Sequence, residues 1–181
     1  QPEELVLTVR AGTTLSAVEA ALDKANQMLA FEPADLSALL KSKSTGTIGG
    51  VLATNLSGPR RLTAGAARDF LLGFDAVSGR GERFKSGGRV MKNVTGYDLS
   101  KLICGSYGTL AVIDEVTIKT LPRPETSLSL LFESDDMAGA VALVAGIFAS
   151  PHEPGAAAIL PQPVAAAAGI DLVADFVVVI R

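Results

Sequence analysis

The sequence predicts an α+β fold, on three observations. A strand-to-helix unit opens the chain between Leu5 and Leu29. A turn-rich antiparallel meander follows between Phe70 and Leu121, with no regular strand–helix–strand alternation that would signal a parallel sheet. After Pro122 and Pro124 a second strand, a helix and a further strand begin anew. Between the first unit and the meander lies Thr45–Gly58, a stretch of glycines, threonines, serine and asparagine interleaved with small aliphatics. Thirteen of the eighteen glycines fall between Gly46 and Gly108, so close backbone approach concentrates there and so should function.

The first strand is read at Leu5–Val9, followed by the turn Arg10–Thr14. Leu15, Val18, Leu22, Ala25 and Leu29 then recur at helical spacing, and Ser16 with Glu19 has the form of a capping box. Plain packing explains this unit. Asn26 and Pro33 end it, and Leu36–Lys43 has room for one more helical turn. Thr45–Gly58 reads as a loop whose N–H and hydroxyl donors cradle a phosphate. Phe70–Val77 has strand length, Ser78–Gly81 is a hairpin turn by composition, and Glu82–Lys85 is the returning strand. Ser86–Arg89 is a further turn, and Leu99–Ile103 a short helix stopped at Gly105. Leu110–Leu121 alternates as a long half-buried strand. Beyond the two prolines, Ser127–Glu133 is a strand and Asp135–Ala149 a helix. Pro151–Pro163 is a proline-rich connection and Val173–Ile180 a last strand. The domains are therefore drawn at 1–124 and 125–181, the second as the start of a larger α+β unit in a longer protein.

Composition narrows the function classes. With one cysteine, Cys104, and one histidine, His152, no disulfide framework and no His- or Cys-rich metal site is expected, which suits a reducing compartment. No apolar run reaches the length of a membrane span, so a cytoplasmic location is expected. The net charge of −3 hides an asymmetry: Lys41–Lys101 holds eleven basic and four acidic residues. An anionic ligand explains that excess better than nucleic acid, because no aromatic stacking pattern accompanies the basic residues. A P-loop, a dinucleotide fingerprint and a nucleophile elbow are all missing. What remains is two glycine-rich segments, Thr47–Gly58 and Gly105–Ile113. Each alone is compatible with a tight turn, and the second could lie flat against a planar ligand.

In order, Thr47-Ile48-Gly49-Gly50, Asn55, Gly58, Arg68-Asp69, Gly96-Tyr97-Asp98-Leu99, Leu102, Gly105-Ser106, Gly108-Thr109-Leu110 and Asp114–Thr117 resemble the vanillyl-alcohol oxidase / p-cresol methylhydroxylase family of flavoproteins. Gly58–Arg61 and Val90–Leu99 are similar to the FAD-binding E subunits of bacterial glycolate oxidases within it. The resemblance covers residues 5 to 125. It implies an FAD-binding PCMH-type domain, incomplete at its amino end because the family's first pyrophosphate loop would lie upstream of Leu5, followed by the start of a ferredoxin-like cap.

It also implies FAD as cofactor, with Thr47, Ile48, Gly49 and Gly50 facing pyrophosphate and flavin through backbone N–H groups and Thr54, Asn55 and Gly58 nearby. Gly65, Arg68 and Asp69 would border the cofactor. Gly108, Thr109, Leu110, Val112 and Ile113 would line its adenine and ribose side. Implied partners are a second FAD subunit, an iron–sulfur subunit and a small 2-hydroxy acid bound in this chain or a sister subunit. Partner subunits would also be the route to a membrane. No catalytic residue is assigned: Cys104 reads as a buried apolar residue and His152 matches no family ligand. Two roles stay open, an FAD-dependent oxidoreductase subunit and an assembly or electron-relay subunit that keeps the flavoprotein fold. Arg60 and Arg61 fit a cofactor contact or a solvated basic face equally.

Overall fold

The computed structural model describes residues 2–88, 97–171 and 173–181. The segment Val90–Gly96 and Arg89 of the turn before it lie outside the described residues. A 3-10 turn at Pro2–Glu4 leads into β1 (Val6–Arg10), α1 (Leu15–Asp23) and β2 (Gln27–Met28). The short helices α2 (Ser37–Leu40), α3 (Ile48–Thr54), α4 (Arg61–Ala64) and α5 (Ala67–Phe70) follow. Next come β3 (Leu71–Ser78), β4 (Arg83–Gly87), α6 (Leu99–Ile103), β5 (Ala111–Lys119) and β6 (Leu121–Pro122). The chain continues with β7 (Leu130–Ser134), α7 (Met137–Phe148), β8 (Ala157–Pro161), α8 (Gln162–Ala167) and β9 (Phe176–Ile180). Contacts divide it into one unit of residues 1–58 and 65–123 and a second of 59–64 and 124–181.

The first unit is built on an antiparallel sheet in the order β1-β5-β3-β4. One face carries Phe74, Ala76, Val116 and Ile118, all buried. The other is polar: Thr8 and Thr117 hydroxyls lie 3.1 Å apart, and Lys85 pairs with Asp75 at 2.7 Å. The register of β3 on β5 shifts between Asp75 and Ala76, leaving Asp114 as an extra residue. That bulge lets its carboxylate meet both Arg10, at 2.8 Å, and Arg83, at 3.3 Å. Such exposed pairs contribute little each and serve mainly to fix register.

Helix α1 is shorter than its apolar stripe. Thr14, not Ser16, is the N-cap, accepting from the N–H of Ala17, and the helix stops at Asp23. Asn26, at φ 53°, then turns the chain into β2, so Leu29 is buried outside the helix. At the β2–β6 end the Thr120 hydroxyl donates to Gln27 Oε1 at 2.7 Å and Gln27 Nε2 donates to the Pro2 carbonyl at 2.7 Å, which satisfies a buried polar pair.

The largest departure from the sequence reading is Thr45–Gly58, whose centre is the helix α3 and not a loop. Ile48, Val51 and Leu52 fall on one face and are buried, and that burial outweighs the low helix propensity of two glycines. Gly49 and Gly58 are required by sterics. A Cβ on Gly49 would lie 2.7 Å from Ala11 Cβ, and one on Gly58 would overlap the Glu32 carbonyl oxygen. Gly50 faces open space apart from Thr47 Oγ1 at 3.4 Å.

In the second unit, β7-β9-β8 is antiparallel throughout. Ala140 of α7 packs with Val178 and Ile180, joined by Phe132, Val144, Ile147 and Ile159. Asp136 caps α7 by accepting from the N–H of Gly139 at 2.6 Å. Of the residues read from sequence as the Pro151–Pro163 connection, 151–156 do form a turn, but Ala157–Pro161 is β8 and Gln162 and Pro163 open α8, since Pro161 ends a strand and Pro163 sits in a first helical turn, both positions that need no N–H donor. Thr63, in α4, donates to the Gly155 carbonyl at 2.7 Å within this unit.

Gly49→Ala and Gly58→Ala are each expected to destabilise the chain by about 1–3 kcal/mol in urea unfolding, the cost of overpacking. Gly50→Ala should stay within about 1 kcal/mol of the parent.

Candidate cofactor-binding site

The amino end of α3 is closed by the chain itself. Ile48 N–H donates to the Thr13 carbonyl at 2.9 Å, Gly49 N–H to the Ala11 carbonyl at 2.8 Å, and Gly50 N–H to Thr47 Oγ1 at 3.2 Å. These three donors, read from sequence as facing a pyrophosphate, are therefore spent on intramolecular bonds. The reason is the helix: its first turn must satisfy its own orphan amides, and Thr47 with the β1–α1 turn does so. Ile48 is fully buried. Thr47, Gly50 and Thr54 instead look onto a cleft.

That cleft, about 270 Å³, runs along α3 and is walled by Leu15, Ala34, Leu36, Leu40, Val51 and Leu56. Ser37, Ser42, Ser44, Thr45, Thr47 and Thr54 also line it, and among the described residues no charged side chain does. Several hydroxyls are held in place: Thr54 Oγ1 donates to the Gly50 carbonyl at 2.9 Å, Thr45 Oγ1 accepts from Ser16 N–H, and Ser44 Oγ accepts from Gly46 N–H. An apolar slot with a hydroxyl rim suits an uncharged ring and polyol better than a phosphate. The wall from Ser37 to Ser44 was not singled out by sequence; its only signal is the hydroxyl-rich run Ser42-Lys43-Ser44-Thr45.

At the other end of α3 the two glycine-rich segments meet. Gly105 N–H donates to the Leu52 carbonyl at 2.9 Å and Tyr107 N–H to the Ala53 carbonyl at 2.8 Å, so the second segment caps the first. Gly105 and Gly108 take φ of 87° and 74°, and Tyr107 a φ of 55° with its ring exposed. Thr109 Oγ1 donates to the Ser106 carbonyl at 2.6 Å. Leu110 and Val112 point to solvent, Ala111 between them is buried, and Ile113 is half-buried on β5.

Asn55, the αL residue that ends α3, accepts at Oδ1 from Arg68 N–H at 3.0 Å and from the Cys104 thiol at 3.6 Å. Ser57 Oγ accepts from Ala67 N–H at 2.9 Å, so Asn55 and Ser57 together satisfy the start of α5. Asp69 reaches back to Ala66 N–H at 2.9 Å and lies beside Gly65, whose φ is 98°. The Arg68 side chain is exposed, and its carbonyl accepts from Lys101 Nζ at 2.6 Å. Lys101 also pairs with Asp69 at 3.6 Å. Ser57, Lys101 and Cys104 were not assigned roles from sequence, because nothing local marks a contact made across tens of residues. Arg60 and Arg61 belong by their contacts to the second unit, as does His152, exposed in the turn after α7. Burial pushes the Cys104 thiol up from its ordinary 9.0 to about 11, against the pull of Arg68 and Lys101 and with the help of Asp69.

Residues 1–87 match the family described as FAD binding domain. The chain is 50% identical over 129 residues to glycolate oxidase subunit GlcE of Escherichia coli, covering 71% of this chain and 35% of GlcE. It is 36% identical over 162 residues to glycolate oxidase subunit GlcD of Bacillus subtilis, covering 89% of this chain and 33% of GlcD. A solved alkyldihydroxyacetonephosphate synthase superposes with a TM-score of 0.74 over 99% of this chain and 35% of the synthase, at 21% identity, which shows a shared fold. The chain thus spans about a third of the length of the relatives it matches.

Between pH 9 and about 11 an unfolded Cys104 loses its proton while the folded one keeps it. The folded state then binds more protons, so stability falls as pH rises through that window. Cys104→Ala should remove this component: the parent is expected to lose about 2 kcal/mol relative to the variant over the window, read by urea unfolding. Parallel curves would place the thiol in water.

Proposed function

We propose, for a chain whose residues 1–87 match an FAD binding domain and which is similar to glycolate oxidase subunits, that the cleft along α3 takes the ring and polyol part of FAD. The observation that carries this is the lining itself, apolar walls edged by serines and threonines, with no charged side chain among the described residues. At about 270 Å³ the cleft matches part of such a molecule, not the whole. Thr47, Gly50 and Thr54 would touch the cofactor, while Ile48, Gly49, Asn55 and Gly58, which do not line the cleft, would hold the helix and its flanks in place. Gly65, Arg68, Asp69, Gly108, Thr109, Leu110, Val112 and Ile113 would flank its remainder. Bound FAD supplies two-electron redox chemistry.

In the whole protein we assign that chemistry to oxidation of a 2-hydroxy acid such as glycolate to the 2-oxo acid. It would take place in a cytoplasmic assembly with a second FAD subunit and an iron–sulfur subunit. Similarity to both GlcE and GlcD supports the substrate class and the assembly. Among the described residues no helix is long and apolar enough to cross a membrane.

One observation favours a second reading, in which this chain relays electrons and a sister subunit handles the hydroxy acid. Among the described residues no carboxylate, imidazole or amine lines the cleft to take the substrate's proton. Anaerobic addition of glycolate to the FAD-loaded chain separates the two: bleaching of the visible flavin band without other subunits places the chemistry here, and bleaching only with them places it elsewhere.

The cofactor assignment is tested by FAD titration, followed by flavin fluorescence. Gly50→Leu, which fills the cleft from an open position, is expected to weaken FAD at least tenfold, about 1.4 kcal/mol, with little change in unfolding midpoint. Riboflavin should compete with FAD, and AMP should not displace riboflavin. Unchanged affinity in Gly50→Leu would move the cofactor away from α3.

A further inference from the structure

Asn55 is the point where three separate stretches of the candidate site are tied together. It ends α3 in the αL conformation, at φ 53°. Its Oδ1 accepts from Arg68 N–H, 13 residues away, and from the thiol of Cys104, 49 residues away. Gly105, next to Cys104, passes close enough that a Cβ there would sit 3.5 Å from Asn55 Cβ, and its N–H reaches back to α3. The carboxamide has a definite orientation here, because a backbone N–H can only donate and must face the oxygen. With two donors on one acceptor, Asn55 Oδ1 is already engaged on the protein side. Deleting it would leave the Arg68 amide and the Cys104 thiol without their acceptor at a part-buried joint.

We propose that Asn55 is a positioning residue: its carboxamide oxygen holds α3, the start of α5 and the Cys104–Thr109 turn in one register, and FAD affinity depends on that oxygen, not on contact between Asn55 and the cofactor. This rests on the assignment of the α3 cleft to FAD. It differs from the sequence expectation, in which Asn55 is itself a cofactor ligand.

Two variants separate the possibilities, and both tolerate the αL backbone. Asn55→Asp keeps an oxygen acceptor and removes the amide donors, and Asn55→Gly removes the acceptor. FAD titration should find Asn55→Asp within about threefold of the parent and Asn55→Gly weaker by at least tenfold. A readout free of cofactor is the ultraviolet thiolate absorbance of Cys104. Asn55→Asp should raise the pH at which the thiolate appears, because a carboxylate there opposes a second negative charge. Asn55→Gly should lower it, since loss of the acceptor removes a bond to the protonated thiol.

A tenfold loss in Asn55→Asp would mean that the amide donors touch the cofactor and would overturn the proposal, as would parent-like FAD affinity in Asn55→Gly. Should Asn55→Gly fail to fold, Asn55→Ala removes the acceptor in its place, with the same tenfold loss expected and parent-like affinity overturning the proposal. A parent chain that does not bind FAD would instead remove the cofactor assignment, and the joint would then stand or fall on whether the thiol titration moves in the two opposite directions.

Discussion

Everything in the first unit depends on how closely α3 can approach the turn after β1. Only a residue without a side chain fits at position 49, where a Cβ would meet Ala11 Cβ at 2.7 Å and the Ala11 carbonyl oxygen at 2.8 Å. That approach lets the Gly49 amide bond the Ala11 carbonyl and the Ile48 amide bond Thr13. A seven-residue helix would not persist on its own. It is held by burial of Ile48, Val51 and Leu52, each about 1.5–3 kcal/mol. At its carboxyl end Asn55, Gly105 and Tyr107 complete the closure. The cleft lies along this helix and the three-way joint at its end, so shifting the helix would disturb both.

Local pattern made some of this legible and left the rest out of reach. The β3–β4 hairpin was readable because Ser78–Gly81 carries turn residues after an apolar run of strand length, and β5 because its residues alternate. The helix α3 was not, since its glycines speak against a helix and only its fit against Ala11 explains them. Likewise the prolines of 151–163 look like a connection, yet Pro161 and Pro163 stand where a strand end and a helix start tolerate them. In the site, the threonines at 47 and 54 and Gly50 do face a cleft. The amides of Ile48, Gly49 and Gly50 do not remain open donors, because helix formation consumes them. The bonds from Asn55 to Arg68 and Cys104 span 13 and 49 residues, and no spacing rule reaches that far.

Charge is distributed with the same logic. The basic residues of the central region that the described structure places include Arg83 and Lys85, paired on the polar sheet face, and Lys101, bonded to the Arg68 carbonyl and Asp69. Among the described residues none that lines the cleft is charged. A neutral slot with fixed hydroxyls can orient a ring by hydrogen bonds and shape, while supplying no acid or base of its own. That separation of holding from proton transfer agrees with a chain that is similar to subunits of glycolate oxidases and spans a third of their length.

Native-state hydrogen exchange at Ile48, Gly49 and Gly50 tests the central role of α3 most directly. If their amides are bonded to Thr13, Ala11 and Thr47 as described, Ile48 and Gly49 should be strongly protected, opening only with the sheet amides of β3 and β5, and Gly50 at least partly so. Exchange of all three at the rate of an open loop would contradict the helix, return the segment to a glycine-rich loop with free donors, and remove the physical basis of both the cleft and the joint.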